Sequence, residues 1–128
     1  YFNGFAEIGK RFGGFDLSMI ETGAYDEMWP DIHMQPEQSL RAHLDLQAAY
    51  MMPVHNSSFD LAMHAWYEPL QRLANAAEVY DVPIITPKFG AVLDLRYLDQ
   101  ASQEHGSWWQ SMMPEEAYQA MESVLLAG

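Results

Sequence analysis

At 128 residues the chain has the length of one domain, long enough to bury roughly two-thirds of its unfolded surface. Hydrophobic residues make up 49% and charged residues 19%, which excludes a disordered chain, and no apolar run approaches the ~20 residues of a membrane-spanning helix. Six basic against 18 acidic residues leave a net charge of −12, a field that repels phosphate backbones and argues against nucleic-acid binding.

The elements follow in chain order. Phe5, Ile8 and Phe12 lie at helical spacing, and Gly13-Gly14 stops that helix. Phe15, Leu17 and Met19 alternate with Asp16 and Ser18, which predicts a strand over 15–21, closed by Gly23-Ala24-Tyr25. A loop carries His33, and Pro36-Glu37 opens a helix over 36–49 with Leu40, Leu44 and Ala48 as its apolar stripe. Residues 51–55 predict a second strand that ends on His55. Leu70, Leu73, Ala74, Ala77 and Tyr80 share one face of a helix over 68–80, with Pro69 in its first turn. A short proline-bounded strand follows over 83–87, then an irregular stretch over 96–113. A last helix opens after Pro114, with Ala117, Met121, Val124 and Leu125 on one face. This alternation predicts an α/β fold with a small mixed sheet and helices on one face, whose other face wants a partner.

The chain has no cysteine, so disulfides and thiolate metal sites are excluded. Such a chain suits a reducing compartment and also permits export, so localisation stays open, with the cytoplasm favoured. It starts at Tyr1 without an initiator methionine, signal peptide or basic arm, and reads as the inside of a longer protein. Phosphate-binding glycine loops, Gly-x-Ser-x-Gly elbows and His-Glu-x-x-His pairs are absent.

Of the five histidines, His55 is the sharpest candidate. The C-terminal edge of an open α/β sheet is where ligands gather, and a rigid strand end holds an imidazole well. The plainer alternative is a ring satisfied by a backbone carbonyl. His33 sits in a loop beside the acidic cluster Asp26, Glu27 and Asp31, which reads as a site rim or as a solvated loop. His43 lies beside Leu40 and Leu44 and is expected to pack; His64 and His105 are expected at the surface. Trp108-Trp109 with Met112-Met113 forms an apolar packet, either a lid or a plug on the open sheet face.

These motifs, in order, resemble the metallo-β-lactamase superfamily. They are the strand from Phe15 to Gly23-Ala24-Tyr25, then Trp29, His33, Pro36-Glu37, His43 with Asp45-Leu46, Pro53-Val54-His55 to Phe59, Leu61-Ala62 and Glu68-Pro69-Leu70. The similarity covers residues 1–95 and is greatest to the branch of N-acyl-phosphatidylethanolamine-hydrolysing phospholipase D and the ascorbate-6-phosphate lactonase-like proteins. It implies that residues 1–128 are the C-terminal half of an αββα sandwich holding two metals, zinc or alternatively manganese. It further implies that His55 is the last metal-ligating histidine and His33 a catalytic or substrate-binding residue near the metals. Asn-Ser-Ser-Phe follows His55 where the family commonly has Thr-Phe, and the His-x-His-x-Asp-His cluster and bridging aspartate are absent. The implied parent is a metal-dependent hydrolase of a phosphodiester, phospholipid-like or lactone substrate, and this half alone is expected to be inactive. The expected partners are a small-molecule or lipid-like substrate, and either the N-terminal half or another copy over the open sheet face. The competing expectation is a non-catalytic α/β module that acts by self-association.

Overall fold

A computed structural model describes residues 1–126. Helix α1 (Gly4–Phe12) ends on Gly13 in the left-handed region and leads into β1 (Phe15–Glu21). Helix α2 (Pro36–Leu46) crosses to β2 (Ala48–Val54), which pairs with β1 in parallel, Ser18 opposite Met51 and Glu21 opposite Val54. Helix α3 (Glu68–Val79) follows, then a 3₁₀ turn, α4 (Leu98–Glu104), a second 3₁₀ turn and α5 (Glu115–Leu126). The fold is α/β, built on a two-stranded sheet.

The sheet is parallel among the described residues, where a mixed sheet is expected. Residues 83–87 approach β2 but make one bridge, Met51 with Ile84. Pro83 and Pro87 offer no N–H to a ladder, and Thr86 turns away to bond the carbonyl of His105. Helix α2 ends at Leu46 instead of reaching residue 49. Gln47 takes φ 57° and caps it, so that Ala48 can pair with Phe15. The stretch 96–113 is not wholly irregular, since it contains α4. The expected placement of the Val124 and Leu125 side chains lies outside the described residues.

The core lies on one side of the sheet. Ile20 and Met51 meet Leu40 and Ala42 of α2 and Leu73 and Ala77 of α3. Helix α1 crosses α2 closely, because a Cβ on Gly9 would lie 2.2 Å from the Asp45 carbonyl oxygen. The other sheet side is thinly covered: Met19 is 67% exposed, and Phe12 and Phe15 lie in the open with their rings 6.0 Å apart.

His43 packs, as expected. It is buried with Nδ1 2.8 Å from the Ser18 hydroxyl, tying α2 to β1. Burial lowers its pKa below the ordinary 6.5. The folded protein therefore keeps this ring neutral where the unfolded chain takes up a proton, and stability falls as pH drops below 6.5. Denaturant titration of the full-length protein against pH should show that decline. His43→Gln, which keeps a partner for Ser18 without titrating, should flatten it.

Candidate metal centre

Both strands deliver their C-terminal ends to one edge. The Thr22 N–H donates to the Val54 carbonyl at 2.8 Å, so the strands stay together one residue beyond the ladder. The backbone then bends sharply. Ala24, His55 and Ser57 have φ of 57°, 61° and 58°, left-handed values that cost residues with a Cβ roughly 1–3 kcal/mol each. Gly23 lies against this bend, and a Cβ there would come within 2.4 Å of the His55 carbonyl oxygen.

The Gly23–Tyr25 segment is anchored from three directions. Trp29 Nε1 donates to the Ala24 carbonyl at 2.7 Å. The buried Tyr25 hydroxyl donates to Glu68 at 2.8 Å, with the His64 ring stacked 4.3 Å from its ring and the Arg72 guanidinium 5.0 Å from its centroid. Arg72 forks onto Glu37 at 3.0 and 2.6 Å and reaches Glu68 at 3.3 Å, joining the starts of α2 and α3. Burial and the Glu68 hydrogen bond push the Tyr25 phenol far up, so it remains a donor. Burial alone would raise Glu37, but the Arg72 fork brings it below the usual carboxylate range, and the same fork raises Arg72.

On this scaffold His33 and His55 come together. Their rings stack at 5.0 Å and 30°, and Glu21 joins them. One donor atom from each of Glu21, His33 and His55 lies within 4.8 Å of the others. His33 Nδ1 is 2.5 Å from Glu21 Oε2, while Glu21 Oε1 accepts the Met34 N–H at 3.0 Å. Both carboxylate oxygens are thus engaged within the chain. That is the arrangement of a carboxylate that orients a histidine from behind. Imidazoles with a carboxylate suit zinc, and manganese as well, so the residues present fit a metal. His55 is exposed and lines a cleft of about 770 Å³ that opens beside the cluster.

The remaining candidates lie outside this cluster, although His64 and Trp108 line the same cleft as His55. His64 is half-buried rather than at the surface, because its ring covers Tyr25, and its Nε2 is buried without a hydrogen-bond partner among the described residues. His105 is half-buried where its carbonyl takes Thr86. Asp26 caps its own turn through the Met28 N–H, and Glu27 and Asp31 are exposed. Trp109 is fully buried, while Trp108 is half-buried and lines the cleft, donating to the Thr86 carbonyl at 2.8 Å. Sequence reasoning missed Glu21. Its signal was a carboxylate closing the strand after Met19-Ile20, two residues before the Gly23-Ala24 bend.

Comparison with known proteins shows what the chain is similar to. The β-lactamase superfamily domain matches residues 1–56. An uncharacterized protein of Mycobacterium tuberculosis is 44% identical over 97 residues, 73% of this chain and 26% of the relative. The N-acyl-phosphatidylethanolamine-hydrolyzing phospholipase D 1 of Caenorhabditis elegans is 28% identical over 95 residues, 69% of this chain and 27% of that protein. The mitochondrial enzyme of that name from Saccharomyces cerevisiae is 32% identical over 77 residues, 58% of this chain and 16% of that protein. The chain therefore spans about a quarter of the length of the first two of these relatives. By the domain match over residues 1–56 and these relatives, the chain is similar to the metallo-β-lactamase superfamily.

Proposed function

We propose that this chain is the C-terminal half of the metallo-β-lactamase-like domain of a longer metal-dependent hydrolase acting on a phosphodiester, phospholipid-like or lactone substrate. The observation that carries the reading is the convergence of Glu21, His33 and His55 at the paired strand ends. His55 would hold zinc; when bound, zinc supplies a Lewis acid and hydroxide at neutral pH. His33, with its Nδ1 proton on Glu21, keeps Nε2 free to accept or return a proton from the reacting group. Glu21 fixes that tautomer, and the Met34 N–H holds Glu21. The cluster is too small for two metals, so the other ligands would come from the rest of the protein and this half alone would be inactive. Phe12, Phe15 and Met19 mark the sheet side that the N-terminal half would cover.

Zinc content and hydrolysis of bis(p-nitrophenyl) phosphate by the full-length protein test this. His55→Ala should lower zinc affinity and activity at least 100-fold. His33→Ala should retain zinc and lose roughly 10²–10⁴-fold in turnover. Undiminished zinc and activity in His55→Ala would remove that residue from the site. The exposed Phe2, Ile8 and Phe12 of the α1 region favour a second reading, a non-catalytic self-associating module. A full-length protein that sediments as a monomer would eliminate it.

A further inference from the structure

One guanidinium ties together the segments that carry the candidate metal centre. Arg72 of α3 reaches the first turn of α2 with a planar fork, Nε and Nη2 donating to the two oxygens of Glu37 at 3.0 and 2.6 Å. Glu37 stands shortly after His33 in the chain, and the Met34 N–H between them holds Glu21. Arg72 Nη1 also donates to Glu68 Oε1 at 3.3 Å, the same oxygen that accepts the Tyr25 hydroxyl. The guanidinium lies 5.0 Å from the Tyr25 ring centroid. Tyr25 closes the bend in which Gly23 packs on the His55 carbonyl. The fork therefore sets how far the start of α2, with His33, stands from the bend that holds His55. A lysine would keep the charge but lose the fork, and a misplacement of about 1 Å near reacting groups can cost roughly 100-fold in rate.

We infer that Arg72 is a positioning residue: through Glu37 and Tyr25 it fixes the placement of His33 relative to His55. Its effect on turnover rests on the hydrolase reading above, whereas its effect on the two rings does not. The test compares the full-length protein with its Arg72→Lys and Glu37→Gln variants. Glu37→Gln breaks the fork at its half-exposed end and leaves Tyr25 and Glu68 untouched. Proton NMR follows the His33 Nδ1 proton held on Glu21, assigned by its absence from His33→Ala. Both variants should melt close to the wild type and keep their zinc. In both, that proton signal should shift or broaden, and kcat on bis(p-nitrophenyl) phosphate should fall roughly 10–100-fold at unchanged KM. The double variant should lose no more than either single one, since each removes the same fork. If the proton signal does not move, if the losses add in the double variant, or if every change tracks a fall in melting temperature, the inference falls. A signal that moves as expected in a protein without phosphodiesterase activity would instead sink the hydrolase reading and leave this one standing.

Discussion

Gly23→Ala is expected to destabilise the full-length protein by ~1–3 kcal/mol and to weaken its zinc binding at the same time. The added methyl would lie 2.4 Å from the His55 carbonyl oxygen and 3.3 Å from Asn56 Cα. Both neighbours are backbone, so neither can swing aside as a side-chain tip would. The strand ends must separate, and the first casualty is the bend that aims His55 at His33. Thermal melting with zinc titration reads both effects in one preparation. Gly106→Ala is the control: nothing lies within 4 Å of its Cβ position, and it should change neither. A Gly23→Ala protein with full zinc affinity would show that His55 is held by something other than this contact.

Trp109→Ala should produce the largest loss of stability, ~3–5 kcal/mol by the usual cost of truncating a buried aromatic. The side chain has no exposed surface, and Nε1 donates to Gln71 Oε1 at 3.0 Å, linking the C-terminal segment to α3. Gln110 Nε2 also reaches that oxygen, at 3.1 Å, so the substitution does not orphan it. The cost is therefore the cavity. Trp108 meets Trp109 edge to face at 6.2 Å, so the cleft wall should loosen as well. Denaturant unfolding measures the loss, and a change below about 1 kcal/mol would mean that the segment packs without this anchor.

Local pattern made much of the fold legible. The limits of β1 came from strict alternation, and α3 from a clean apolar face opened by Pro69. The buried parity of β1 did not follow from that alternation: Ser18 and Ile20 face the helices, while Met19 points away. His43 satisfies Ser18, which is why a polar residue can take an inward position. Helix α4 was invisible because Ala101 is its only buried residue and no stripe marks it. At the site, His33 and His55 were readable as chemistry at a strand end and in the loop before a helix. Glu21 was not, because its role comes from a strand end reaching a histidine twelve residues away, which no local periodicity encodes.

The most direct measurement is anomalous diffraction at the zinc edge from crystals of the full-length protein. The account predicts a zinc peak at imidazole distance, about 2.0–2.1 Å, from a ring nitrogen of His55, with His33 beside it still bound to Glu21. Zinc bound elsewhere, with His55 turned into solvent, would contradict it.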